Sequence, residues 1–127
     1  MHDLETERLI LRGHENGWEI IPRPLGELVG TILFRRSSTK GFVSLELTID
    51  EGWRHGFLSE ALVTAFKYLF EQTDTVYISV DGKVYHKELI ECGMRPQIRG
   101  EMNKDYRIYK AEFENGACDK ALQRAYS

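Results

Sequence analysis

The sequence predicts an α/β fold in which helices pack in layers on a mostly antiparallel sheet. The first third of the chain has short apolar segments separated by proline and glycine, as in antiparallel hairpins. Residues 43–49 alternate apolar and polar side chains, with the period of two that a half-buried strand requires. Apolar residues then recur at helical spacing in residues 59–72, and a second strand and helix follow.

The N-terminal elements are predicted from their turn residues. Residues 9–12 form a short strand candidate, and the turn-rich segment 13–17 follows it. Residues 18–21 and 28–34 predict a hairpin, because proline and glycine lie between them.

The second strand and helix follow the amphipathic helix. Residues 75–80 are rich in β-branched and aromatic side chains, which predicts a strand. Asp81 is placed to cap the next helix, and Gly93 is placed to end it in the left-handed conformation. The side chains that this helix is expected to bury are Tyr85, Leu89 and Cys92.

The C-terminal part is expected to close the sheet. Strand candidates lie around residues 97–103 and 106–113, and residues 115–127 form a tail that is a short helix or a frayed end. Because 127 residues suffice for one core but not for two, residues 1–127 are predicted to form a single domain.

The composition argues against several kinds of partner. A net charge of −3 with no basic stripe predicts no nucleic-acid partner, and no apolar run is long enough to predict a membrane span. Residues 1–7 lack the basic and apolar regions of a signal peptide. Cys92 and Cys118 lie far apart, which predicts neither a disulfide framework nor a metal site. We therefore expect a cytoplasmic protein without a metal.

The most informative segment is the turn Trp53-Arg-His-Gly-Phe-Leu-Ser-Glu-Ala61, between a predicted strand and a predicted helix. A strand that turns through glycine into a helix presents free backbone N–H groups and the positive end of the helix dipole at one point. This arrangement is an anion site that suits a phosphate or pyrophosphate. The alternative is an ordinary connection whose helix N-terminus binds nothing.

Four segments of the chain resemble one known family. They are residues 4–12, residues 26–32, the turn segment extended to residues 53–62, and residues 90–94. In this order they resemble the first strand, the second hairpin, the pyrophosphate loop and the end of the CoA-flanking helix of the GNAT superfamily of acyl-CoA-dependent N-acetyltransferases. The resemblance is strongest to the branch that acetylates ribosomal-protein N-termini, and it covers most of residues 4–113.

This resemblance implies a GNAT-like three-layer sandwich (α+β), with a mixed, mostly antiparallel sheet flanked by helices. It also implies acetyl-CoA as cosubstrate and an amine acceptor: a protein N-terminus, a lysine or another bulky amine. Transfer would occur by direct attack in a ternary complex. A base takes a proton from the ammonium, a backbone N–H on the split strand polarises the thioester carbonyl, and an acid meets the departing thiolate.

The resemblance assigns cofactor binding to the turn and the strand before it. Gly56 suits close approach of the backbone to pyrophosphate because it has no Cβ, and Arg54 would add charge. The implied cofactor-binding residues are Ile49, Trp53, Arg54, His55, Gly56, Phe57, Leu58 and Ser59.

Two residues are candidates for the catalytic groups. Glu46 is the only carboxylate inside the strand before the loop, and it is the candidate base, although the family's usual glutamate aligns with Val43. Its alternative is a glutamate that only faces solvent. Tyr85 is the candidate acid because Leu89 stands where relatives place that tyrosine, one helical turn later. Its alternative is a core tyrosine.

The chain also departs from the family. Leu58 replaces a usual glycine or alanine, and Gly82 replaces an asparagine that often contacts the cofactor. Only residues 13–17 separate the first two strands, where relatives insert two helices that wall the acceptor site. The acceptor side is therefore expected to be open or completed by a second subunit. Because Trp18 and its strand are expected to need cover, a homodimer is predicted.

These departures leave a second functional hypothesis open. A degenerate GNAT-fold module without turnover would bind CoA weakly or mediate protein contacts.

Overall fold

Eight strands form one sheet in the computed structural model, which describes residues 2–23, 26–81, 84–99 and 103–126. The strands are β1 Leu4–Glu5, β2 Leu9–His14, β3 Gly17–Pro22, β4 Gly30–Arg36, β5 Phe42–Ile49, β6 Tyr77–Asp81, β7 Arg95–Arg99 and β8 Asn103–Tyr109. Their order across the sheet is β1-β2-β3-β4-β5-β6-β8-β7. The helices are α1 Phe57–Gln72, α2 His86–Glu91, α3 Lys110–Glu114 and α4 Ala117–Tyr126, and a 3₁₀ turn, Glu51–Trp53, precedes α1.

One pair of neighbouring strands in this sheet is parallel. β5 and β6 run in the same direction, whereas the other paired strands are antiparallel. The parallel register begins with Phe42 opposite Tyr77 and ends with Leu45 opposite Val80, although β5 continues to Ile49. The carboxyl ends of β5 and β6 are therefore separated by a gap, which we call the split.

The hydrophobic core lies on one face of the sheet, which we call the core face. Alternate strand residues such as Leu11, Ile32 and Ile78 are fully buried there. The apolar stripe of α1, which includes Leu62 and Phe66, packs in the same cluster, and α2 and α4 contribute buried side chains to it. The period of two in the strands and the period of 3.6 in α1 thus meet in one core.

The opposite face, which we call the open face, carries the polar side chains of the same strands. Ser44 and Glu46 of β5 are exposed there, as is Arg35 of β4. The buried side chains of the described helices join the core face, so none of these helices covers the open face. The sheet is therefore exposed to solvent on one side, as antiparallel sheets often are.

The short connection between the first two long strands is confirmed. β2 and β3 pair directly as a hairpin, with Gly13 opposite Trp18 and His14 opposite Gly17. The expectation that Trp18 needs an external cover is wrong. Trp18 is fully buried because the Tyr68 ring of α1 packs edge-on against it at 5.6 Å.

Two local expectations are wrong. Asp81 ends β6 and does not cap α2, which begins at His86. β8 ends at Tyr109, and α3 occupies residues that were expected to continue the strand. Of the two alternatives for the tail, the helix is confirmed, because the tail forms α4, which packs on α2. Gly93 does end α2 in the left-handed region, with φ of +91°.

None of the helices in the described ranges has the length and apolar character needed to cross a membrane.

Candidate active site

The split contains a backbone donor and a phenol. Asp50 N–H donates to Val29 O on the β4 side. Because successive N–H groups of a strand point to opposite sides, Ile49 N–H points toward β6 and into the split. It donates to the Tyr85 hydroxyl at 3.3 Å. The two residues predicted separately as a cofactor contact and an acid are thus brought together.

The glycine turn exposes the N-terminus of α1. Gly56 immediately precedes the helix and has φ of +78°, a left-handed conformation that favours glycine. The first intrahelical bond runs from Glu60 N–H to Gly56 O, and no side chain caps this helix end. The N–H groups of the first turn are therefore available to an anion.

The side chains of this turn pack inward. Leu58 is fully buried, so its branched side chain lies in the core and not beside the outer surface of the turn. Trp53 packs edge-on against Phe57, with ring centroids 5.0 Å apart. The Ser59 hydroxyl is buried and donates to Glu91 of α2 at 3.3 Å. Leu58 and Ser59 therefore face the core, whereas Trp53 and Phe57 are half-buried.

The Arg54 guanidinium is bound to the start of α2. Its Nε donates to Glu88 Oε1 at 2.7 Å, and its Nη2 donates to Val84 O at 2.8 Å. Its carbon Cζ lies 5.2 Å from the centre of the Tyr85 ring. The hydrogen bond to Glu88 raises the pKa of Arg54, so the side chain stays cationic. Its charge neutralises a carboxylate that is 2% exposed.

Glu88 belongs to the candidate site through Arg54, and it is not among the residues predicted from the sequence. It lies three residues after Tyr85 and directly before Leu89, so helical spacing puts it on the buried face of α2. A carboxylate on a buried face requires a cationic partner. That spacing was the signal that could have found it.

A cleft of about 830 Å³ opens beside the turn. His55 and Gly56 form one wall. The lining carries charges of both signs, and Arg8 pairs with Glu60 at 2.9 Å. The full lining is Thr6, Glu7, Arg8, His55, Gly56, Glu60, Val63, Thr64, Lys87 and Glu91. The cleft continues the exposed backbone of the turn into a concave surface.

Glu46 lies on the open face, at the point where the split begins. It follows Leu45, the last β5 residue paired with β6. Its side chain is 70% exposed and contacts Arg35 at 3.4 Å. Tyr85 packs against the core. Glu46 and Tyr85 are therefore presented to opposite faces of the sheet, with the split between them.

Two positions where the family usually has catalytic side chains hold core residues in this chain. Val43 is buried, so the position of the usual glutamate holds a core side chain. Leu89 is fully buried in α2. Gly82 lies outside the described residues. Among the residues that are described, no three His, Cys, Asp or Glu side chains gather as a metal site.

Comparison with known proteins gives structural matches only. No protein-family model matches the chain, and no curated protein matches its sequence. An acetyltransferase of the GNAT family from Bacillus anthracis matches with a TM-score of 0.73 at 16% identity, covering 87% of this chain and 100% of that chain. The N-terminal domain of a ribosomal-protein-alanine acetyltransferase from Clostridium acetobutylicum matches with a TM-score of 0.66 at 17% identity, covering 89% and 99% of the two chains.

A spermidine N-acetyltransferase mutant from Vibrio cholerae also matches, with a TM-score of 0.63 at 16% identity over 80% of this chain and 70% of that chain. At such identities the likeness concerns the fold, and the ribosomal-protein branch stays a prediction. The expected mixed, mostly antiparallel sheet flanked by helices is confirmed, and the chain has the GNAT fold, although the described helices lie on one face of the sheet and not on both.

Proposed function

We propose that this protein transfers an acetyl group from acetyl-CoA to an amine in a ternary complex. The observation that carries the proposal is the position of two sets of backbone donors at one end of β5. Ile49 N–H points into the split, and the uncapped first turn of α1 follows directly after the glycine turn. One extended ligand with an anionic part and a carbonyl would engage both.

The residues present fit CoA. The N–H groups of His55 and of the first turn of α1 would hold the diphosphate, because no side chain occupies them and Gly56 leaves room for close approach. Leu58 does not interfere, since its side chain is in the core. Acetyl-CoA would supply the acetyl group as a thioester.

The chain's own groups would manage the proton and the developing charge. Glu46 would accept a proton from the acceptor ammonium on the open face. Ile49 N–H would donate to the carbonyl oxygen as negative charge grows there. The Tyr85 hydroxyl, displaced from Ile49 N–H, would donate its proton to the departing thiolate on the core face.

The open face favours a large acceptor. Glu46 lies on a surface that none of the described helices covers, so an approaching amine is not enclosed. A protein N-terminus, a lysine or another bulky amine suits this surface better than a small metabolite that needs a closed pocket.

Calorimetry with acetyl-CoA and CoA, followed by detection of free thiol with a panel of amines, tests the proposal. We expect binding and acceptor-dependent thiol release. Replacing Glu46 with glutamine is expected to lower kcat about a hundredfold while CoA affinity is retained. Glu71→Gln, which changes an exposed carboxylate at the other end of α1, is the matched control. The absence of any binding at millimolar ligand would refute the proposal.

A second candidate is a GNAT-fold module that has lost turnover and binds CoA weakly or mediates protein contacts. The observation that favours it is that Glu88 already holds Arg54, and Tyr85 already holds Ile49 N–H. Acetyl-CoA binding without thiol release across the whole amine panel would support this alternative.

A homodimer also remains part of the proposal. The burial of Trp18 removes one reason for it, but the open face still lacks the helices that relatives place around the acceptor. Light scattering is expected to give twice the mass of the chain, and a monomeric mass would contradict the dimer.

A further inference from the structure

A row of polar side chains crosses the open face in register. Ser44 of β5 is opposite Ser79 of β6, and these two small residues form the middle of the row. Arginines flank them, because Arg35 pairs with Ser44, and Arg107 lies opposite both Ser79 and Arg95. We call these five residues the serine–arginine row. It forms a shallow floor in which Arg35 and Arg95 are paired with carboxylates. Asp81 and Asp105 lie opposite each other one step nearer the split on the same face.

The row adjoins the split. One step along the strands, about 7 Å away, Glu46 stands on the same face beside the gap between β5 and β6. One step in the other direction, the rings of Phe42, Tyr77 and Tyr109 contact one another, with centroids 4.7 and 4.8 Å apart. Starting from the split, the open face therefore presents the Glu46 carboxylate first, then the arginines of the row, and then the aromatic rings.

Arg107 differs from the other arginines of the row. Arg35 contacts Glu46, and Arg95 forms an ion pair with Glu112 at 2.6 Å. The Nε of Arg107 is buried and has no hydrogen-bond acceptor among the described residues. Two arginines directly opposite each other on adjacent strands repel. A carboxylate bound at the half-buried side chain of Arg107 would relieve the repulsion.

We propose that the serine–arginine row is the acceptor subsite, and that it selects a peptide N-terminus with an acidic side chain at its second or third residue. This inference rests on the proposed acetyl transfer. The acceptor's carboxylate binds Arg107 over the serine floor, and its amine reaches Glu46 at the split. The aromatic side chains Phe42 and Tyr109, both partly exposed, contact the peptide beyond the acidic residue.

The spacing fits a peptide. Arg107 and Glu46 are two strands and one row apart, which corresponds to about 12 Å between their Cα atoms. An extended peptide advances about 3.3 Å per residue, so two or three residues together with the arginine and glutamate side chains cover this distance.

The charge of the row also discriminates between acceptor classes. A polyamine has several ammonium groups and no anion, so it offers Arg107 no anionic partner. A peptide with an acidic residue near its amine matches both the arginines and Glu46. The row therefore favours the peptide.

The experiment compares pairs of peptides that differ only by glutamate or glutamine at residues two and three. Steady-state acetylation is expected to favour the glutamate peptide by about tenfold in kcat/KM, mainly through KM, since a charge-assisted hydrogen bond contributes that much. Fluorescence anisotropy of labelled peptides measures binding without turnover. Spermidine is expected to be a poorer acceptor than either peptide.

Variants assign the preference to Arg107. Arg107→Gln is expected to remove the advantage of the glutamate peptide, and Arg107→Glu is expected to favour a lysine peptide instead. Arg12→Gln is the matched control, because Arg12 lies on the same face but on β2 and contacts Glu19. Circular dichroism melts of each variant separate lost binding from lost folding, and the charge-reversed peptide preference cannot arise from unfolding.

Equal use of the glutamate and glutamine peptides by the unaltered protein would overturn the inference. So would an equal loss of preference in Arg12→Gln. Selective binding of the glutamate peptide without acetylation would instead overturn the proposed function and leave the anion subsite standing.

Discussion

Tyr85 is a candidate site residue because of its position at the start of a helix. It is the last residue before α2, so its ring extends from the helix end toward β5 and not along the helix face. Its hydroxyl accepts from Ile49 N–H, and the Arg54 guanidinium lies over its ring. The phenol is therefore held beside the backbone donor where the proposed reaction takes place.

Replacing Tyr85 with phenylalanine removes only the hydroxyl. Because an acid that protonates the leaving group contributes about a hundredfold or more, kcat is expected to fall by at least that factor. Thiol release at saturating acetyl-CoA measures the effect. Tyr68→Phe is the control, since its ring packs on Trp18 in the core. A Tyr85→Phe enzyme that turns over at the original rate would remove Tyr85 from the mechanism.

At the level of residues, the sequence predicts backbone roles better than side-chain roles. The need for glycine at position 56 is visible because a strand-to-helix turn requires its conformation, and φ of +78° confirms it. The direction of the Leu58 side chain depends on the rotation of α1 on the sheet, which local spacing does not define. Arg107 could not be predicted as a site residue from the sequence, because strand register determines that Ser79 and Arg95 are its neighbours.

The ion pair between Arg54 and Glu88 joins the glycine turn to α2. Removing the Glu88 carboxylate leaves Arg54 mostly buried without its strongest partner, so Glu88→Ala is expected to lower the free energy of unfolding by about 3 kcal/mol. Urea denaturation followed by circular dichroism measures this change.

The control for this pair uses the same arginine. Glu51 contacts Arg54 at 3.5 Å, but its side chain is 81% exposed. Glu51→Ala is therefore expected to change the free energy of unfolding by less than about 0.5 kcal/mol. Equal effects at the two glutamates would mean that burial does not strengthen the pair.

The contact between α2 and α4 depends on a glycine. Gly93 has φ of +91°, and a Cβ there would lie 2.7 Å from Ala117 O at the start of α4. Gly93→Ala is expected to lower the free energy of unfolding by about 2–4 kcal/mol, because backbone strain and overlap add. Thermal and urea melts measure the loss.

Gly116→Ala separates the effect of backbone strain from the effect of steric overlap. Gly116 has φ of +83°, but the nearest described atom to a Cβ there would be Lys120 Cε, at 4.0 Å. The variant is expected to lose only about 1 kcal/mol, the cost of the left-handed conformation. A loss as large as that of Gly93→Ala would show that close packing of α2 and α4 contributes nothing.

Elements were predictable where one period dominates. The alternation in β5 and the apolar stripe of α1 gave both elements within two residues of their ends. The segment after Tyr109 was expected to continue the strand, but it forms α3, whose Phe113 packs on Phe70 of α1. This tertiary contact overrides the local preference for a strand, and the sequence of residues 106–113 does not predict the contact.

At the scale of the whole molecule, the order of elements leads to the layered fold, because β5, α1 and β6 form a parallel crossover within an otherwise antiparallel sheet. The distinction between a core face and an open face also follows from the alternation in each strand. The rows of residues that face one another across strands do not follow from this alternation, because the register of each strand pair depends on turn geometry and packing. The segments that contribute to the candidate site were therefore predictable from the sequence, but their neighbours on adjacent strands were not.

The reactivity of the two cysteines can be used to probe the packing of α4 on α2. Cys92 follows α2 and Cys118 lies in α4, and both thiols are buried where α4 packs on α2. Burial raises the pKa of Cys118 from 9.0 to about 12, and it raises the pKa of Cys92 as well. Both thiols should resist alkylation in the folded protein, because the thiolate that reacts is disfavoured there.

Iodoacetamide labelling at increasing urea, read by peptide mass spectrometry, tests whether the C-terminal helix unfolds with the rest. If α4 is part of the same cooperative unit, Cys92 and Cys118 become reactive at the same urea concentration. Earlier labelling of Cys118 would contradict this and show that α4 detaches alone.

The buried thiols also make stability depend on pH. Because the thiols stay protonated in the folded state, their ionisation in the unfolded state favours unfolding as pH rises from about 9 to 12. The urea midpoint is therefore expected to fall over that range, and less so in Cys118→Ala, which lacks one of the two buried thiols.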